Sequence, residues 1–271
     1  MKILIVDSYN MIHRARHGFT FSENNVVFGF FRCLKAEISR HNPDMVFLVS
    51  EGRPKHRYEI SEDYKANRKK EKDEDFLRQL SEIFDLCQYL PVTVIRHPDF
   101  ECDDVIAMLC SKFAKEEITI CSSDSDFIQL LENQNISLWN PVKKKFIDKW
   151  PVDYCTWKSL KGDATDNISG VKGVGEKTAF KLAASSQDLQ EFFLKKPTAK
   201  KDFESSMALI RLATIDPEDS SLQTSKYRFD EINLLESFNR LSFKSITGKS
   251  WPSWRDTMEN LDNYGKSTDI I

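Results

Sequence analysis

Five short apolar runs recur along the first half of the chain: ILIV at 3–6, MVFLV at 45–49, VTVI at 92–95, ITIC at 118–121 and ISLW at 136–139. Each has the length of a strand, is rich in β-branched residues, and lacks the alternation of a strand with one wet face. Strands of this kind are covered on both sides, as in parallel sheets flanked by helices. Helical periodicity fills gaps between them, over Val26 to Arg40, Asp75 to Tyr89 and Asp103 to Ala114. Strand and helix in alternation predict an α/β domain with a mainly parallel sheet over residues 1–152. Past Pro151 the strand signal stops. Helical patterns at Tyr154 to Leu160, Glu176 to Ala184, Leu189 to Leu194 and Phe203 to Ala213 predict a helical region over 153–250. The tail, 251–271, carries Trp251 and Trp254, expected to pack a small helical core; from Asn260 to Ile271 it is polar and expected to fray.

Four of the five runs lead into acids. ILIV meets Asp7, MVFLV reaches Glu51 after one serine, VTVI is followed by Glu101, Asp103 and Asp104, and ITIC by Asp124 and Asp126. In open α/β sheets ligands bind beyond the carboxyl ends of the strands, so these acids are predicted to converge there. Asp163 and Asp166 of GDATD are placed to join them from the helical region. Each group also has a plainer reading. Asp103 and Asp104 begin an apolar helix, where carboxylates meet the helix dipole and free N–H groups, and Asp124 and Asp126 suit a turn and a cap. Nine carboxylates at one crevice, however, repel one another unless cations lie among them. Two hard divalent ions suit an all-oxygen donor set, Mg²⁺ first with Mn²⁺ substituting, and a pair of them supports phosphodiester hydrolysis. The six cysteines form no CxxC pair and read as reduced core thiols, and a zinc hydrolase is not expected. A net charge of −3 gives no chain-wide basic signature. The first apolar run is too short for a signal peptide and no run approaches a membrane span, so a cytoplasmic location is expected.

The segments DSYN (7–10) with Arg14, EDYKANR (62–68), FECDDVIA (100–107), SSDSDFIQLL (122–131) and GDATDNISGVKGVGEKTA (162–179) stand in the order seen in the 5′-nuclease family. That family holds flap endonucleases, the 5′-nuclease domain of bacterial DNA polymerase I and phage 5′-3′ exonucleases. The resemblance spans roughly residues 1–215 and is strongest to phage members, including the type called RNase H. It implies a PIN-like nuclease domain followed by a helix-three-turn-helix DNA-binding region, with a short helical arch over about 62–90. It implies a first metal site on Asp7, Glu51, Glu101, Asp103 and Asp104, and a second on Asp124, Asp126, Asp163 and Asp166. Glu51 departs from the family pattern, which usually has aspartate there.

Between Gly52 and Lys72 eight Lys or Arg stand against four acids. Charge alone reads as a solvated face; beside a carboxylate cluster it reads as a guide for a phosphate backbone. By the resemblance Lys65 and Arg68 act at the scissile phosphate with Arg14 and Tyr64 in support, and Arg57 joins the DNA contacts. Arg68 to Phe76 is expected to be mobile without DNA. The loop with glycines at 170, 173 and 175 suits close backbone approach to phosphate, or a plain turn between helices. The resemblance implies that Gly173 and Gly175 hold duplex DNA with Lys172, Lys177 and Lys181, and that the Val171 and Val174 carbonyls coordinate K⁺.

The expected function is a structure-specific 5′ nuclease acting at flaps, nicks or 5′ ends of DNA or RNA–DNA hybrids, as a monomer and with replication proteins as partners. Two rivals stand beside it: a non-catalytic DNA-junction binder, against which the intact second acid group speaks, and a PIN-type RNase, which lacks such a glycine loop.

Overall fold

In the computed structural model the described residues are 1–18, 23–68 and 73–265. All five apolar runs are strands: β1 (Lys2–Asp7), β2 (Met45–Val49), β3 (Thr93–Arg96), β4 (Glu117–Cys121) and β5 (Ile136–Asn140). They pair in parallel in the order β5-β4-β1-β2-β3. The helices between them are α1 (Ser8–Gly18), α2 (Asn25–His41), α3 (Lys55–Ile60), α4 (Glu74–Cys87) and α5 (Cys102–Lys112). Along β1, Leu4 and Val6 enter the core on one face of the sheet, packed by α1, α2 and α4, while Ile3 and Ile5 enter the core on the other, packed by α5. Successive side chains of a strand point to opposite faces, so burial of both faces is what makes the run continuously apolar. Register then aligns the acids: Asp7 pairs with Val49, two residues before Glu51, and Val6 with Cys121, just before the Asp124 segment.

The helical region follows, with α6 (Tyr154–Lys161), α7 (Glu176–Ala183), α8 (Ser186–Lys195) and α9 (Pro197–Ile210). Its apolar faces, with Trp157, Leu160, Ala179 and Leu182, join the α5-side core. Two antiparallel strands flank the parallel ones: β6 (Lys145–Ile147) on β5, and β7 (Gln223–Lys226) on β3.

The expected boundary at residue 250 is corrected. Beyond β7 the chain returns to the sheet as α10 (Glu231–Arg240), α11 (Lys244–Thr247) and α12 (Trp251–Gly265), covering its α2 side. The Trp254 and Phe238 rings lie 5.5 Å apart, and Phe238 lies 5.2 Å from Phe31 of α2. Trp251 and Trp254 thus complete the main core, not a separate small one. The stretch expected to fray is helical through Gly265, because Trp251, Trp254, Met258 and Leu261 form one apolar stripe of helical period. Residues 266–271 lie outside the described residues. Among the described residues no helix is long and apolar enough to cross a membrane.

Candidate active site: two carboxylate groups beyond the strand ends

A crevice of about 1000 Å³ opens at the carboxyl edge of the sheet. Asp7, Glu51, Glu101, Asp103, Asp124, Asp126 and Asp166 line it together with Lys65 and Arg68. Asp7, at the end of β1, accepts hydrogen bonds from Ser122 Oγ at 2.8 Å and from the Asn10 N–H at 3.0 Å. The segments bearing Glu51 and Glu101 are pressed together at Gly52, where a Cβ would lie 1.9 Å from the His97 carbonyl oxygen and 2.3 Å from that of Phe100. Burial first, then the Glu101 and Asp7 charges, push Glu51 up to about 8. Burial, then Asp104, raises Asp103 well above the carboxylate range, and burial raises Asp7 as well.

Arg57 braces this first group from behind. It is 1% exposed and donates to Glu101 Oε2 at 2.7 Å, to Asp104 Oδ2 at 2.6 Å and to Asp104 Oδ1 at 2.7 Å. Its Nε reaches the Leu209 carbonyl oxygen at 3.0 Å, at the end of α9. Asp104 further accepts from the Ala213 N–H at 2.8 Å and the Glu101 N–H at 3.3 Å. One expectation is thereby corrected: Arg57 is buried and is no surface contact for DNA. Asp104, fully buried, has both oxygens engaged by Arg57 and backbone N–H groups and does not line the crevice, while its oxygens stay beside those of Glu101 and Asp103.

The second group is assembled across the two regions. Asp163 and Ile168 exchange backbone hydrogen bonds of 2.8 Å, closing a loop that presents Asp163 and Asp166. Its base is a crossing of Gly162 (φ +84°) with Gly170 (φ +65°), so tight that a Cβ on either would sit 2.5 Å from the backbone of the other strand of the loop. Oxygens of Asp126, Asp163 and Asp166 lie within 4.8 Å of one another, as do those of Glu101, Asp103 and Asp104. Asp124 is raised by burial and then by Asp126. All donors are carboxylate oxygens, partly buried and crowded into mutual repulsion, and that chemistry fits hard divalent cations. Because Asp104 is taken by Arg57, the first group would offer Asp7, Glu51, Glu101 and Asp103.

Residues 2–154 match the family model described as 5′-3′ exonuclease, N-terminal resolvase-like domain. The chain belongs to the 5′-3′ exonuclease family. The 5′-3′ exonuclease of Aquifex aeolicus (strain VF5) is 30% identical over 243 residues, 82% of this chain and 83% of that protein. The thermostable DNA polymerase I of Thermus thermophilus is 32% identical over 232 residues, 78% of this chain but 28% of that protein. The chain thus spans about a quarter of the length of the polymerase relatives it matches. The fold, sheet and helical region together, is that of the bacteriophage T5 5′-exonuclease, whose structure carries bound divalent metal ions (TM-score 0.68, 17% identity, 98% of each chain covered).

Of the basic residues singled out in the sequence, Lys65 and Arg68 reach the crevice and Arg14 does not. The Lys65 ammonium donates to Glu101 Oε1 and lies 3.7 Å from Asp166, while Arg68 donates to Asp166 Oδ1. Arg14 is turned toward the buried Glu37 of α2, 3.8 Å away. Tyr64 is buried at the crevice wall, and its hydroxyl donates to Glu101 at 3.0 Å, so it holds a carboxylate in place. The arch segment folds onto the GDATD loop: the Lys65 N–H reaches the Asp166 carbonyl oxygen at 3.0 Å, and Asn67 and Asn167 bond the opposite backbone at 2.8 Å each. Part of the stretch expected to be mobile, 73–76, is the start of α4, capped by Asp73 on the Phe76 N–H; Lys69, Lys70 and Lys72 lie outside the described residues. Lys172, Gly173, Gly175 and Lys177 are exposed at and beside the start of α7 and Lys181 in its last turn, whereas the side chains of Val171 and Val174 are buried.

Lys158 was not foreseen. It projects from α6 into the second group, 8% exposed, donating to Asp126 Oδ1 and, at 2.7 Å, to Asp163 Oδ2. A signal existed: Tyr154, four residues earlier, shares its helix face, and its hydroxyl reaches the same Asp126 oxygen at 3.1 Å.

Proposed function

We propose that the chain is a structure-specific 5′ nuclease that hydrolyses phosphodiester bonds at 5′ flaps, nicks or 5′ ends of DNA. The observation that carries this is one crevice where Asp7, Glu51, Glu101, Asp103, Asp124, Asp126 and Asp166 meet Lys65 and Arg68. Asp7, Glu51, Glu101 and Asp103 would hold one divalent ion, and Asp124, Asp126, Asp163 and Asp166 a second, Mg²⁺ being the expected ion and Mn²⁺ its substitute. Such ions supply an activated water and charge stabilisation at the leaving oxygen. The chain's own residues do the rest. Lys65 and Arg68, released from Glu101 and Asp166, would pair with the scissile phosphate and stabilise its developing charge. No protein nucleophile is needed: burial, then the Asp7 charge, pushes the Cys102 thiol far up, and it donates to Asp7.

The exposed backbone at Gly173 and Gly175, with Lys172, Lys177 and Lys181, suits a duplex backbone and reads no sequence. A K⁺ ion at the Val171 and Val174 carbonyls would strengthen that grip. The reading extends to RNA–DNA hybrids at primers and to a cytoplasmic monomer working beside replication proteins. Cleavage of a 5′-flap DNA duplex, an RNA-primed duplex and single-stranded RNA, with Mg²⁺ and with EDTA, tests it. The expected result is metal-dependent cleavage of the flap, leaving a 5′ phosphate. Cleavage of single-stranded RNA alone would favour an RNase instead.

A further inference from the structure

The second carboxylate group already contains a cation of the chain's own. The Lys158 ammonium, on a side chain 10% exposed, is bonded to both Asp126 and Asp163, two of the three acids whose oxygens lie within 4.8 Å of one another. It is held there by the fold. Asp153 caps α6 by accepting from the Thr156 N–H at 2.6 Å, and Tyr154 and Trp157 bury the same end of the helix. The Tyr154 hydroxyl then steadies Asp126 from the side. The third acid, Asp166, is paired with Arg68. The first group also meets a crevice cation, Lys65 on Glu101, but among the described residues no ion pair reaches Asp7 or Glu51. A lysine ammonium and a divalent ion cannot share the space between Asp126 and Asp163, since like charges a few ångströms apart repel strongly where water is scarce.

We infer that Lys158 is a built-in competitor of the second divalent ion, so that the first group fills at lower metal concentration and the second only when the ammonium withdraws. This rests on the two-ion reading above. It makes Lys158 a positioning residue that sets metal occupancy, and it explains why the chain places a buried lysine among the acids that reading requires to be free.

The test is Mn²⁺ binding to the whole chain without nucleic acid, followed by electron paramagnetic resonance of free Mn²⁺, for wild type, Lys158→Met and Lys158→Arg. The wild type is expected to bind one ion tightly and one weakly. Lys158→Met should tighten the weak ion on the order of tenfold and leave the tight one unchanged, while Lys158→Arg keeps the wild-type pattern. The Mg²⁺ concentration for half-maximal flap cleavage should fall in Lys158→Met in parallel. Should Lys158→Met fail to fold, Lys158→Gln, which keeps a hydrogen-bond donor but no charge, gives the same readout. An unchanged or weakened second ion, with the first intact, overturns the inference while leaving the two-ion reading standing. If Asp103→Asn and Asp126→Asn each remove no ion from the wild-type binding curve, the two-ion reading itself fails, and the inference with it.

Discussion

The two carboxylate groups face each other across one crevice and are held by different means. The first hangs on the sheet: Asp7 ends β1, Glu51 follows β2, and Glu101 and Asp103 open α5, with the fully buried Arg57 locking Glu101 and Asp104 from behind. The second is gathered from three segments. Asp124 and Asp126 follow β4, Asp163 and Asp166 sit on a loop pinched by two glycines, and the cations that neutralise them, Lys158 and Arg68, come from α6 and the arch. The brace leaves Asp7 and Glu51 without an ion pair among the described residues, although Lys65 reaches Glu101 from the crevice. Cations within the crevice instead compete with whatever ion or phosphate enters. The first group is thus mostly framework, and the second joins the helical region to the sheet.

Breaking the brace should have the largest effect on the fold. Arg57→Ala leaves Asp104 buried and unpaired, and losing one partner of a buried pair costs about 3–5 kcal/mol. Urea unfolding should show a lowered midpoint and a stability loss of that size; an unchanged midpoint would mean the first group needs no brace.

The pH dependence of the metal-free chain sharpens the same contrast. Glu51 stands at about 8 in the fold against an ordinary 4.5, through burial, then Glu101 and Asp7. Its folded value is raised, so the stability linked to its proton is fully present below about 4.5 and lost as pH rises through about 8. The melting temperature without divalent ions should therefore fall across that window, and Glu51→Gln should flatten the fall. A profile that rises there would contradict the crowding of the first group.

The smallest stability effect is expected at the second group. Arg68 is half exposed, so Arg68→Ala should change stability by at most about 1 kcal/mol while slowing flap cleavage. A melting shift as large as that of Arg57→Ala would erase the distinction between the groups.

The elements that build the first group were legible because burial on both faces leaves a continuous apolar run, and acids directly after such runs must sit at the carboxyl edge. The braces were not. Arg57 lies in a segment whose charge count reads as surface, and only the approach of α9, 152 residues further on, buries it. Lys158 shares a face with Tyr154, but a lysine on an inward face is legible only once its two carboxylate partners are known to converge. Strand β7 and helices α10 to α12 went unseen as parts of the sheet domain because an edge strand of QTSK carries no apolar signal. The apolar stripe of α12 is likewise diluted by polar residues between its members.

The central claim is that both groups are needed for hydrolysis, although only one is framework. The most direct measurement is flap cleavage and flap binding by Asp126→Asn, which touches the second group alone. Cleavage should drop on the order of a thousandfold with binding to the flap duplex retained. Cleavage at a near wild-type rate would show that the second group takes no part in the chemistry, and would contradict the account.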